Sequence, residues 1–322
     1  MASTIATARP AREIARILAF GVPPARMDAP YPVRDDQPMS GKAELGDFLR
    51  AMRARLAPED VGLPRSGTRR TPGLRRQEVA QLAAVSIDWY IRVEQGRAGT
   101  PSAAVLDAIA DALRLSPTER AHLRVLAGSE QPLPQSPPSE PLPASLVYLL
   151  ESMPLVPAYV IDFRFDVHAR NEGAAALFGE DFGAGTQRNA AVVLFEVQEV
   201  KDAQLDWRRV ARETVGNLRA NQARHRDDEQ LNALIARLRG NPDFALWWED
   251  RTVEERAHGV KRLRIPDIGD LTMCYDYLAV GGRPDLRLVT VTPADAASEQ
   301  GIRTLVARRT RKHVAGVPNI AA

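Results

Sequence analysis

The 322-residue chain is predicted to fold as two domains, an all-α domain followed by an α+β domain, on three observations. Its length exceeds what one ordinary hydrophobic core supports. Helical periodicity fills residues 41–128, and strand-like alternation begins only later. Between them lies GSEQPLPQSPPSEPLP, Gly128 to Pro143, whose six prolines sustain neither helix nor sheet. The expected divisions are a disordered or extended arm over 1–40, a helical domain over 41–128, a Pro-rich linker over 129–143, the α+β domain over 144–310 and a tail over 311–322.

The helical signal starts at Ala43. Leu45, Phe48, Leu49, Met52 and Leu56 recur at spacings of three and four, one apolar stripe with Arg50, Arg53 and Arg55 outside or beside it. APEDVGLPRSGTRRTPG then holds three prolines, three glycines and three arginines and reads as a loop. RRQEVAQLAAVSIDWYIRVEQGR, Arg75 to Arg97, is expected to form two helices around AAVS. Two more follow, from Ser102 to about Leu113 and from Ser116 to about Ala127, with both serines as N-caps and Glu119 completing a capping box.

Past the linker, VPAYVIDFRFDVHARN reads as two short strands around a turn at Asp162 to Phe165, and NEGAAALFG as a helix capped by Asn171. Residues 204–239 are helical and charged. Three strands are expected at about 258–266, 270–279 and 285–292, and Pro293 begins a last helix. In the middle strand Leu271, Met273, Tyr275 and Tyr277 alternate with Thr272, Cys274 and Asp276, the pattern of a sheet packed on one side.

Charge and composition narrow the function. Residues 41–128 hold 14 Lys and Arg against 10 Asp and Glu, a balance of +4, whereas 141–322 hold 24 against 25, a balance of −1. The positive excess sits with the candidate helix pair, where it attracts a polyanion. One cysteine, Cys274, excludes an internal disulfide and a multi-cysteine metal site, and fits a cytoplasmic home. No run of about 18 uncharged apolar residues is present to span a membrane. The opening MASTIATARPAREIARILAF is basic and acid-poor like a transit peptide, but a frayed arm or an over-long gene start is the simpler reading. His122, His168, His225, His258 and His313 are isolated, and no HExxH, GxSxG or P-loop pattern occurs. The chain is therefore expected to be no enzyme, with no catalytic residue, metal or cofactor, and Cys274 reads as an inert thiol.

AAVS turns the chain sharply. Ala84 occupies the corner position that usually carries glycine, at a cost of roughly 1 kcal/mol for a left-handed backbone. Val85 plugs the angle and Ser86 caps the second helix. Val79, Leu82 and Ala83 are expected to face inward from the first helix and Tyr90 and Val93 from the second, with Ala80 small enough for a close crossing. Ile87, Asp88, Trp89, Ile91 and Arg92 are left outside. A helix projected in this way matches the width of the DNA major groove, and its first residues reach base edges.

These residues carry a resemblance. LRRQEVAQLAAVSIDWYIRVEQGR is similar to the helix-turn-helix of the XRE family, a lambda-repressor-like five-helix fold, over about residues 43–127. The VEQGR ending, the helix pair after it and the RSGTRRTPG loop resemble the MmyB-like regulators. Ala84 in place of glycine and Arg76 in place of a common glutamine are departures. The resemblance implies that Ile87, Asp88, Trp89 and Arg92 face the groove, just beyond the capping Ser86. Arg92 either donates to a guanine or pairs with Asp88; Asp88 accepts from a cytosine amino group or restrains Arg92; Trp89 touches a base or is half core. Arg69, Arg70, Arg75, Arg76 and Arg97 are candidate phosphate contacts, and Glu94 is expected to pair with Arg53 as in similar domains.

The second half resembles the PAS-like ligand-binding domain of the same regulators over about residues 145–308, on PAYVIDFRFDVHARNEGAAALFG and KRLRIPDIGDLTMCYDYL. That resemblance implies a fatty-acid-like or other hydrophobic small molecule between the sheet and its helices. Ile265 stands where relatives commonly carry histidine before Pro266, so a polar head group here would need another residue. Candidate lining residues are Tyr159, Ile161, Phe178, Phe195, Leu271, Met273 and Tyr275, each equally compatible with ordinary core. The expected function is a homodimeric transcription regulator that binds double-stranded DNA and senses a hydrophobic ligand. The alternative is a DNA-bound scaffold whose second domain only dimerises or recruits a protein.

Overall fold

Five helices gather the amino-terminal apolar pattern into one core. In the computed structural model, which describes residues 41–64, 73–129, 141–250 and 257–315, α1 (Gly41–Ala54) buries Leu45, Phe48, Leu49 and Met52, the stripe set by its spacing. α2 (Arg76–Leu82), α3 (Ile87–Glu94), α4 (Ala103–Ala112) and α5 (Pro117–Leu126) follow. Ser102 and Ser116 accept from the N–H groups of Val105 and Glu119, and the Glu119 carboxylate accepts from the Ser116 N–H at 2.8 Å. Both caps thus satisfy donors that a helix start leaves open. One sequence expectation needs correction: Leu82 is 36% exposed. Val79, Ala80 and Ala83 set the buried face of this short helix, and Leu82 lies roughly 100° from its centre at 3.6 residues per turn.

The compact unit holding these helices takes its described residues from Asp28–Pro134 and from Val215–Glu255. That second segment comprises the end of α10 (Trp207–Arg224), α11 (Glu229–Leu238) and α12 (Pro242–Glu249). Ala220 and Ala223 enter the same apolar cluster as Phe48 and Leu126, and Arg226 pairs with Glu44 at 3.3 Å. His122 is buried edge-on to the Phe48 ring at 5.1 Å. Burial, with the guanidinium groups of Arg219, Arg224 and Arg226 adding to it, lowers its pKa to about 3. A cavity of ≈ 80 Å³ lies here among Phe48, His122, Arg219 and Trp248. It is too small for a drug-sized ligand, whose pockets run to about 300–1,000 Å³.

The other unit takes its described residues from Gln135–Thr214 and Arg256–Ala322. Here α6 (Ala144–Glu151), β1 (Ala158–Asp162), β2 (Val167–Arg170), α7 (Glu172–Phe178), α8 (Ala190–Glu196) and α9 (Gln198–Ala203) precede α10. β3 (His258–Ile265), β4 (Gly269–Val280), β5 (Arg283–Pro293) and α13 (Ala296–Ala315) complete it. The strands form one antiparallel sheet in the order β2-β1-β5-β4-β3. Pro293 closes β5 rather than opening the last helix, whose first turn is fixed by the Asp295 carboxylate accepting from the Ser298 N–H. One sheet face buries Ala158, Val160, Leu286 and Leu288 against Leu146 and Leu150 of α6. The other carries Tyr159, Met273, Tyr275 and Val291, all buried.

Asn171 is wholly structural. Its Oδ1 accepts from the Ala158 and Ala174 N–H groups, and its Nδ2 donates to the carbonyls of Leu150, Met153 and Val156. No described helix is long and apolar enough to cross a membrane. The chain is thus multidomain, an all-α helix-turn-helix fold joined to an α+β fold built on one sheet. The linker residues 130–140, the arm over 1–40 and the tail from 316 lie outside the described residues.

Candidate functional site

The second helix of the pair, α3, is fixed from behind and open in front. Ala84 holds φ at 52°, the left-handed corner its position requires, and the Val85 N–H donates to the Ala80 carbonyl at 3.0 Å. Ser86 then accepts from the Trp89 N–H at 3.2 Å, so α3 starts at a fixed angle. Behind it, the buried Glu94 carboxylate accepts from Arg53 Nε at 2.8 Å and Arg76 Nε at 2.6 Å. Arg53 also donates to the Leu74 carbonyl, tying α1, α2 and α3 together. A Cβ on Gly46 would stand 2.1 Å from the Glu94 carbonyl oxygen, so α1 meets the end of α3 only through glycine. Tyr90 fills the core below, its hydroxyl pKa raised by burial and then by Glu94.

In front, Ser86, Ile87, Asp88, Arg92 and Arg97 are exposed, and Trp89 is half-buried against the core. Asp88 and Arg92 form no hydrogen bond or ion pair with any described residue, so the i,i+4 pair that would have made them a plain solvated surface is not formed. Arg75 is exposed, its backbone N–H donating to Glu78 at 2.7 Å. Arg76 is half-buried on Glu94, which leaves its guanidinium a structural partner. Arg69 and Arg70 lie outside the described residues.

The second candidate region is the sheet face of Tyr159. Its ring meets Phe178 at 5.9 Å and Phe182 at 5.0 Å, both edge-on. Tyr275 Oη donates to Glu213 Oε2 at 2.7 Å, and Arg209 Nη1 donates to Glu213 Oε1 at 2.8 Å. Arg209 also binds Asp206 and the Val260 carbonyl. Lys261 stands opposite Met273 in the sheet register, half-buried, its Nζ 5.2 Å from the Phe178 centroid and 5.4 Å from that of Tyr275. Each such contact contributes about 0.5–2 kcal/mol, against several for taking an ammonium out of water. Burial wins and lowers the Lys261 pKa to about 8, with Asp206 pulling weakly the other way. Tyr277 is pushed up to about 12 by burial and the Glu213 charge.

Of the expected lining residues, Phe178 and Tyr275 border this lysine and Met273 stands opposite it in the sheet, Tyr159 reaches the cluster through the Phe178 ring, and Ile161 is buried on β1. Phe195 packs instead against Trp207 at 6.0 Å. Leu271 lies under α13, where a Cβ on Gly301 would be 2.5 Å from its Cδ2. Among the described residues no group of three His, Cys, Asp or Glu could hold a metal.

Comparison with protein families decides the class. Residues 44–123 match a helix-turn-helix domain, and residues 142–305, just over half the chain, match the MmyB-like transcription regulator ligand binding domain. The chain belongs to the MmyB-like transcription regulators. No curated protein matches it. The regulator is thus a ligand-responsive, DNA-binding transcription factor, both of whose matched families are regulatory. The ligand-binding match runs through residues 215–250, the helices whose Ala220 and Ala223 complete the core around α1 and α5.

Sequence reasoning missed Lys261 and Glu213, and set Tyr277 on one face of its strand with Tyr275 without naming it as a site residue. For Lys261 the signal was present: in HGVKRLRIP the inward Leu263 places Lys261 on its own face and Arg262 and Arg264 on the other. Glu213 gave none, because an acidic residue in a charged helix reads as solvated until its partner on a distant strand is known.

Proposed function

We propose that the regulator binds DNA as a homodimer, with α3 of each copy in the major groove, and that a fatty-acid-like apolar molecule on the Tyr159 face governs that binding. The unpartnered Arg92 and Asp88 on a helix locked from behind by Glu94 carry the DNA half of this reading. In it Arg92 donates to a guanine, Asp88 accepts from a cytosine amino group, Ile87 and Trp89 supply apolar contact, and Arg75 and Arg97 meet phosphates. Two copies on a symmetric site multiply the little specificity that one helix provides. The cluster of aromatic side chains on the inner sheet face supports the ligand half.

Selection of bound duplexes from a random pool by the full chain tests it. The expected product is an inverted repeat with half-sites about one helical turn apart, bound by a species of twice the chain mass in light scattering. Recovery of unrelated sequences, or binding by a single chain, contradicts the proposal. Native mass spectrometry of the purified chain is expected to show an added small apolar mass.

A further inference from the structure

Lys261 is held among rings instead of among carboxylates. The alternation of β3 turns it inward with Leu263, and Gly259 on the same face leaves room for the Tyr275 ring, whose Oη would lie 2.5 Å from a Cβ there. That ring is anchored at its far end on Glu213, and Glu213 on Arg209. Phe178 borders the ammonium from α7. No described residue hydrogen-bonds Lys261 Nζ, and the carboxylate that acts on it, Asp206, is already engaged by Arg209 and by the Arg262 N–H. A half-buried cation beside an aromatic cluster matches a partner that brings one compact negative charge and an apolar body.

The geometry points to Lys261 as the residue that selects the ligand's head group: an aliphatic chain ending in a single carboxylate, its charge on the ammonium and its chain against Tyr159, Phe178, Phe182 and Met273. This rests on the proposed reading of the sheet face as the ligand site. A dianionic phosphate fits less well, because the neighbouring guanidinium of Arg209 is committed to Asp206, Glu213 and the Val260 carbonyl.

The test compares n-dodecanoate with n-dodecanol by calorimetry on the full chain. The natural protein is expected to prefer the acid by at least ~10-fold, the worth of one charge-assisted hydrogen bond. Lys261→Met is expected to bring the ratio within ~2-fold and Lys261→Arg to keep it. Because a ratio is read, general damage to the site lowers both arms together. Should Lys261→Met fail to fold, the natural protein suffices: its acid preference is expected to fall between about pH 7 and about pH 9.5 as the lysine loses its proton. Tyr275 and Tyr277 are raised above the ordinary phenol range, and Asp206, Glu213 and Arg209 are the other charged groups facing the site. Equal binding of acid and alcohol, or an acid preference that survives Lys261→Met, overturns the assignment while leaving the ligand reading in place. Failure of both amphiphiles to bind overturns both.

Discussion

On α3 the charged Asp88 and Arg92 stand in solvent without a described partner while the carboxylate behind them, Glu94, is buried and doubly paired; on the sheet face Lys261 is drawn in among rings while its neighbours Arg209 and Glu213 are paired. In both places most charges are satisfied internally and a few are not. The difference lies in the medium around the exceptions. Unpaired groups in water suit a hydrated polyanion met across a broad surface, where salt screens the attraction. An unpaired ammonium among rings suits a small partner that excludes water as it arrives.

The largest expected effect breaks the helical side of the comparison. Glu94→Ala leaves Arg53, which is nearly buried, without its anion and loosens α2 through Arg76. A loss of about 3–5 kcal/mol is expected for a buried pair deprived of one partner, read as a lower denaturant midpoint at constant slope. A loss below about 1 kcal/mol would mean that the pair is mere surface decoration.

A pH titration of stability probes the same unit next. His122 is neutral when folded because burial depresses its pKa to about 3, against an ordinary value of 6.5. The unfolded chain therefore binds the extra proton between these values. Stability is full above about pH 6.5 and falls as the pH drops toward 3, by up to about 1.4 kcal/mol per pH unit. In His122→Gln that part of the slope is expected to vanish; an unchanged slope would assign it elsewhere.

Much of the helical unit was legible because its signals are local. Apolar spacing placed α1, cap residues opened α4 and α5, and Ser86 with Ala84 defined the corner. The places of the five strands along the chain and the alternation of β4 were also readable, whereas the order of the strands in the sheet was not. What could not be read was non-local: Leu82 depends on which face its neighbours bury, the Arg76 pair on a carboxylate 18 positions away, and Glu213 on a tyrosine 62 positions away. The packing of residues 215–250 into the helix-turn-helix unit has no local sequence mark at all.

On the sheet side, Tyr275→Phe removes the hydroxyl that donates to the buried Glu213, which keeps its Arg209 partner, and is expected to cost about 1.5–3 kcal/mol, the worth of one hydrogen bond to a charged group. A neutral result would show that water reaches Glu213 there. The smallest effect sharpens the corner: Ala84→Gly relieves a left-handed alanine at φ 52° and is expected to stabilise the fold by roughly 1 kcal/mol. Destabilisation would show that the chain gains more from a stiff alanine than it loses in strain.

The most direct test of the account is the specificity ratio of Arg92→Ala on the selected duplex against a scrambled one, measured at several salt concentrations. If α3 reads bases, the ratio is expected to fall by about 10- to 100-fold, the worth of one bidentate base contact, with folding stability within about 0.5 kcal/mol of the natural protein. A ratio that stays the same while overall affinity drops would reduce Arg92 to a phosphate contact, and DNA binding that ignores the substitution altogether would contradict α3 as the reading helix.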